Sequence, residues 1–323
     1  MTNIYEEIGR HVFSWRSVRQ LFCVCALLVT TSVALAAPAM QKSYASPDAA
    51  VDALVDAVRS SNKTKLTALF GIHGSKLISS GDAVADKNRR ATFVKTYTEA
   101  NKLVFEGDAK AVLVIGKKDW PFPIPLVKND GAWKFDTEQG AQEILNRRIG
   151  RNELEAIQVS LAIADAEREY AALQLGSGGA PEYAPRIVST PGKHDGLYWQ
   201  TKSGEAPSPL GPLVAAAAHE GYNSTRSWVQ TPYRGYLYRI LGAQGKDAPG
   251  GEYEYSAKGK MIGGFAVIAY PARYAASGIK TFIVSHDGVM FEKDLGQDTA
   301  AVASKINAYN PDATWKQVES PGK

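Results

Sequence analysis

The stretch from Arg147 to Leu173, RRIGRNELEAIQVSLAIADAEREYAAL, constrains the architecture more than any other part of the chain. Leu154, Ile157, Leu161, Ala164 and Ala171 recur at helical spacing and fall on one stripe of an α-helix. A helix of this length reaches about 40 Å, and a thin apolar stripe on so long a rod needs a broad apolar wall to cover it. The charged residues Glu153, Glu155, Glu167, Arg168 and Glu169 mostly fall off the stripe and read as its wet side. Arg147, Arg148 and Arg151 can grip an anion or a partner. The alternative is a solvated face, or pairing with Glu153 and Glu155 across helical spacing at about 0.3–0.5 kcal/mol per pair. Gly150, with Asn152 and then Glu155 three residues on, has the form of a fresh helix start, which predicts a bend or break in a run beginning at Glu138.

The wall is supplied downstream. YRGYLYRIL, EYEYSAKGKMIGGFAVIAYP and IKTFIVSHDGVMFEKDL read as strands, the last turning at Asp287-Gly288, followed by a short helix over Ala300 to Ala308 and a tail reaching Trp315. Upstream, Ser46-Pro47-Asp48 is a helix start, with Val51, Leu54, Val55 and Val58 at helical spacing. A second helix carries Leu66, Leu69 and Phe70, and a third, near Asp86 to Ala100, buries Phe93 and Tyr97. LVFEGDAKAVLVIG and IPLVKNDGAWKFD then change to strand period, the second closing at Asp130-Gly131. DWPFPIP belongs at an extended edge, because Pro121, Pro123 and Pro125 lack amide donors, with Trp120 and Phe122 covering the core. These patterns predict an α+β chain: a small α+β domain over 44–138, then a long helix on a second antiparallel sheet over 139–318. Between them, 176–232 is a long Gly/Pro-rich loop, too rich in Tyr183, Tyr198, Trp199, Tyr222 and Trp228 to be a linker.

Residues 1–36 differ in kind. Arg16 and Arg19 precede an apolar run from Leu21 that closes on Ala34-Leu35-Ala36, the pattern of a secretory signal peptide cut near Ala36; the alternative is an uncleaved anchor. The run is shorter than the roughly 20 residues of a spanning helix, so no stable membrane span is expected after cleavage. Both cysteines, Cys23 and Cys25, lie inside it. A mature chain without cysteine has no disulfides, and its cores alone must hold it together. With a net charge of +4 and its charges interspersed, the chain lacks the basic stripe that nucleic acid requires.

Catalytic and cofactor motifs fail on inspection. Gly242-Ala243-Gln244-Gly245-Lys246 continues with Asp247 where a P-loop needs Ser or Thr, and no G-x-S-x-G elbow occurs. Only His73, His194, His219 and His286 follow the leader, with no H-E-x-x-H pairing, so neither a metal nor a cofactor is expected. No residue is assigned a catalytic role. The candidate binding residues are His194, Asp195, Tyr198, Trp199 and Glu205, with His219 and Glu220 further along. Polar groups around an aromatic platform suit a carbohydrate or peptide. The competing reading is that Tyr198 and Trp199 pin the loop to the sheet while the charges face water.

The phrases DWPFPIPLVK, WKFDTEQG, RRIGRNELEAIQV, PGKHDGLYW, SPLGPL, GYLYRIL, GGFAVIAYPARY and TFIVSHDGVMFEKDLG resemble a bacterial secreted family catalogued as a domain of unknown function, number 2950, over about Ser46 to Trp315. That resemblance implies an exported envelope protein and carries no catalytic residues. The opening helices and the sheet ending in GAWKFD are similar to nuclear transport factor 2-like domains, which often serve as ligand pockets or assembly modules. The long helix, with Ala166 and Tyr170 in an A-x-x-x-Y ending, and the sheet after it resemble the globular part of type IV pilins and pseudopilins. This chain departs from pilins in having a whole domain upstream.

The expectation is therefore a periplasmic or secreted, non-enzymatic protein that binds a cell-wall ligand or another envelope protein. Two alternatives stay open. One is a periplasmic hydrolase of wall sugars or peptides that uses paired carboxylates among Asp195, Glu205 and Glu220. The other is a structural subunit of an envelope assembly, with an exposed apolar patch.

Overall fold

Ser46 accepts the Ala49 amide at 3.1 Å and so caps α1 (Pro47–Arg59). The computed structural model describes residues 41–176, 180–223 and 230–319. The expected leader with Cys23 and Cys25, together with Gly178, Gly179, Trp228 and the His73 side chain, lies outside the described residues. Asn62 and Asp82 cap α2 (Lys63–Phe70) and α4 (Ala83–Glu99) in the same way, with the short α3 (Ser75–Ile78) between them. Side-chain caps of this kind each contribute about 1 kcal/mol.

The strands that follow are β1 (Asn101–Phe105), β2 (Lys110–Ile115), β3 (Trp120–Pro121), β4 (Leu126–Asn129) and β5 (Ala132–Phe135). They form an antiparallel sheet in the order β1-β2-β4-β5, with the two-residue β3 paired to β2 beside β4. Asp130 and Gly131 both take positive φ, 50° and 78°, the conformation a two-residue hairpin needs. The prolines keep 121–125 out of the sheet's middle. Phe122 is buried, while Trp120 stays at the surface with its ring edge-on to Phe122.

Then comes α5 (Thr137–Gly176), 40 residues and about 60 Å long. The helix is unbroken, contrary to the expectation at Gly150. Gly150 meets nothing within 4 Å, and Asn152 donates its amide to Ser277 O at 2.7 Å instead of capping a new helix. The expected stripe is also rotated. Leu154 is 67% exposed, and Ile157 and Leu161 are only half-buried, although Ala164 and Ala171 are buried as expected. The buried stripe runs through Asn152, Ala156, Val159, Ser160, Ile163, Glu167 and Tyr170. Its polar members hid it from a hydropathy reading, and each finds a partner in place: Ser160 Oγ bonds Ala156 O at 2.8 Å, and Glu167 Oε2 accepts the Ala184 amide at 2.8 Å.

Past α5 the chain forms α6 (Gly211–His219), β6 (Tyr236–Leu241), β7 (Ala243–Gln244), β8 (Tyr253–Glu254), β9 (Ser256–Ala257) and β10 (Lys260–Met261). It continues with β11 (Ala266–Pro271), β12 (Lys280–Ser285), β13 (Met290–Asp294), α7 (Thr299–Lys305), β14 (Ala308–Tyr309) and β15 (Lys316–Gln317). The second sheet is antiparallel in the order β15-β13-β12-β11-β6, with α5 laid on β11 and β12. A small patch, β14-β7-β8, contains one parallel pair and packs with α7 on the same central strands, which are buried along almost their whole length. Described parts of the 176–232 segment are seated in this core. Ala184, Ile187, Leu197 and Leu210 are buried, and Val188 bridges Tyr198.

Two clusters of buried side chains result, one within 50–135 and one within 156–309, in an α+β fold. Residue 167 tests how the second is built. Burial raises the Glu167 carboxyl well above its ordinary value, and the Ala184 amide opposes this only in part. A carboxyl with a raised folded pKa makes the fold lose stability as pH climbs from the unfolded value toward the folded one. Glu167→Gln keeps an oxygen for the Ala184 amide and removes the titration. Urea denaturation across pH is expected to show the parent losing about 1.4 kcal/mol per pH unit relative to the variant above pH 4.5. Parallel curves for the two proteins contradict this.

Candidate functional site

A cleft opens to solvent beside the first core. Between α1, α2, α4, the sheet and the start of α5 lies a cavity of about 560 Å³, within the range of about 300–1,000 Å³ typical of small-molecule pockets. Its floor is apolar: Leu54 and Val58 from α1, Leu66 and Phe70 from α2, Ile115 from β2, Phe122 and Ile124 after β3, and Ile144 from α5. This explains why α4 is so lightly seated. Phe93 and Thr96 line the cavity and stay half-buried, and Asp86 is the one residue of that helix that is fully buried.

Five arginines also line it. Arg89 and Arg90 project from α4, and Arg147, Arg148 and Arg151 from α5, against a single lining carboxylate, Asp86. Asp86 is saturated: its oxygens accept from Ser80 N at 2.9 Å, Ser80 Oγ at 2.7 Å and Arg89 Nη2 at 2.8 Å. Arg147 pairs with Glu143 at 2.6 Å, and among the described residues Arg90 reaches only the Ser61 hydroxyl, at 3.1 Å. Arg151 makes no hydrogen bond or ion pair with any described residue.

Arg148 is the unusual one, only 6% exposed and without a carboxylate on it. Its Nη atoms donate to Lys76 O at 2.6 Å, Leu77 O at 2.8 Å and, more distantly, Ala276 O, while Nε has no acceptor among the described residues. Burial first, and then the neighbouring charge of Arg89, partly offset by Asp86, pushes the guanidinium down to about 10, with Arg273 and Arg151 adding to the crowding. The expected pairing of these arginines with Glu153 and Glu155 does not occur. Glu153 Oε1 accepts the Ile279 and Lys280 amides at 2.9 and 3.0 Å, and Glu155 pairs with Arg234 at 2.8 Å, because that side of α5 faces the second sheet's loops rather than water.

The residues singled out in the sequence occupy three places. His194 lies flat on Trp199, ring centroids 4.3 Å apart, and the edge of Tyr170 abuts the same indole at 6.5 Å. Tyr170 also donates to His194 O at 2.7 Å. Asp195 accepts from Thr190 N at 2.7 Å and Thr190 Oγ1 at 2.8 Å; slight burial works against the charge, but these bonds and Arg186 hold its carboxyl below the usual range. Tyr198 is tied by its backbone to Ile187 and Ser189. These four therefore share one loop. Glu205 accepts the Lys202 amide in an exposed turn, His219 is exposed at the end of α6, and Glu220 pairs with Arg234 while its carbonyl accepts from Asn88. Among the described residues, no group of three or more His, Cys, Asp and Glu is placed to hold a metal ion.

A family model described as a protein of unknown function, DUF2950, matches residues 41–318. The chain belongs to this family. No curated protein and no solved structure matches it. The DUF2950 match covers both the cavity and the second sheet, so the first core and the α5 that bounds its cleft lie within one family unit.

The cavity escaped the sequence because its lining comes from seven separate stretches. One signal was legible: Arg147, Arg148 and Arg151 lie three and four apart on a helix and so gather on one side of it.

Proposed function

We propose that this DUF2950 chain is an exported, non-enzymatic binding protein whose cavity between α4 and α5 takes up a small, largely apolar molecule. The observation that carries this reading is a solvent-open cleft of about 560 Å³ with an apolar floor, a size and lining suited to a small molecule. Export is supported by the Arg16 and Arg19 flank, the apolar run and the Ala34-Leu35-Ala36 ending. No described helix is long and apolar enough to cross a membrane. The loop carrying His194 and Trp199 we assign to scaffolding, since His194 covers one face of the indole and Tyr170 abuts its edge.

The test uses the neutral fluorophore N-phenyl-1-naphthylamine. Saturable one-to-one binding is expected, weakened about tenfold or more by Ile144→Trp, which fills the cavity from its half-buried edge. Urea denaturation of the same variant checks that it folds. No saturable binding, or binding indifferent to residue 144 and to a second filling variant, Thr96→Trp, overturns the reading.

A further inference from the structure

We propose that the molecule held in the cavity is an amphiphile with one anionic head, its tail on the apolar floor and its head against Arg90, Arg148 and Arg151. This rests on the cavity being a binding site and adds the chemistry of what binds there.

The inference follows from the charge balance of the wall. Five guanidinium groups face one carboxylate there, and that carboxylate is already engaged by Ser80 and Arg89. Glu143 neutralises Arg147 from outside the cavity. Among the described residues three cations therefore remain without an acid: Arg90, Arg148 and Arg151. Their surroundings raise the value of an anion. Arg148 is almost fully withdrawn from water and held by backbone carbonyls, which solvate its charge without cancelling it, and its Nε is left without an acceptor among the described residues. Unlike charges attract more strongly beside a low-dielectric wall than in open solvent, and clustered charges of one sign in a cleft concentrate the opposite ion.

All five cations are arginine, none lysine. The planar guanidinium takes a carboxylate or phosphate through two parallel hydrogen bonds, so the residue type as well as the charge fits an oxyanion. A purely polar anion would leave the floor of Leu54, Leu66, Phe70 and Ile144 uncovered, whereas a neutral apolar molecule would leave the three cations unpaired. An alkyl chain ending in an oxyanion answers both.

The experiment compares ligands of equal chain length by calorimetric titration of the full mature chain: decanoate, decyl phosphate, decanol and decyltrimethylammonium. Decanoate or decyl phosphate is expected to bind about tenfold or more tightly than decanol, with the ammonium weakest. The stronger of the two anions identifies the head as carboxylate or phosphate. Arg90→Gln/Arg151→Gln, which changes two side chains whose loss removes no ion pair among the described residues, is expected to abolish that preference, with urea denaturation of the variant checking that it folds. Decanol binding as tightly as both anions overturns the anionic head and spares the cavity reading. So does an anion preference that survives the double variant. If none of the four ligands and no naphthylamine binds, both readings fall together.

Discussion

Gly140→Ala is expected to destabilise the fold by about 3 kcal/mol, while Gly150→Ala, ten residues along the same helix, is expected to stabilise it by up to about 1 kcal/mol. A Cβ on Gly140 would lie 2.2 Å from Pro123 O and 2.5 Å from Ile124 Cα. Those are backbone atoms and cannot rotate aside, so the first turn of α5 would have to lift from the segment that forms the cavity's floor. Gly150 faces open space, where a methyl group touches nothing and the backbone loses less entropy on becoming helical. Urea denaturation midpoints of the two variants should move in opposite directions from the parent. Equal shifts would mean that α5 does not press on residues 123–124 as described.

Asp82→Ala is expected to cost about 4 kcal/mol, because it removes a buried charge on which three donors converge. Asp82 is 1% exposed. Its Oδ1 accepts the Ala85 amide at 2.9 Å as the cap of α4, and its Oδ2 accepts the Tyr222 hydroxyl and the Gly235 amide, both at 2.8 Å. One side chain thus starts the helix that covers the cavity and ties it to the loop that enters the second sheet. Tyr222→Phe should cost about 1 kcal/mol, since the carboxylate keeps its two amides. The double variant should fall short of the sum by about 1 kcal/mol or more, because each change removes the same bond. Additive losses, or an Asp82→Ala cost below about 1 kcal/mol, contradict this role.

Much of the framework was legible where local chemistry decides the outcome. Ser46-Pro47 starts α1 because an oxygen cap and a residue that needs no amide partner both suit a first turn. Asp130-Gly131 turns β4 into β5 because both residues tolerate positive φ. The face that α5 buries was not legible. Asn152, Ser160 and Glu167 sit at its centre; Ser160 bonds back to the Ala156 carbonyl of its own helix, whereas the other two meet groups that only the tertiary fold brings near, the Ser277 carbonyl for Asn152 and the Ala184 amide for Oε2 of Glu167. Hydropathy treats such residues as exterior and turns the stripe toward Leu154 instead. The three arginines at the helix start raised the question of an anion, but their surroundings did not follow from spacing. That Arg148 is buried on the carbonyls of Lys76 and Leu77, while Arg151 is left unpaired among the described residues, depends on where α4 and the 76–78 turn come to rest. The aromatic loop shows the opposite case, where a tempting cluster of His194, Asp195 and Trp199 spends its contacts on its own segment and on Tyr170.

A crystal structure of the mature chain soaked with decanoate bears most directly on the cleft as a binding site. The ten-carbon chain is expected between Leu54, Phe70 and Ile144, with its carboxylate turned toward Arg151 and the backbone of both sheets unchanged. Side chains of Phe93 and Trp120 folded inward to fill the space, with decanoate absent or bound elsewhere, would contradict it.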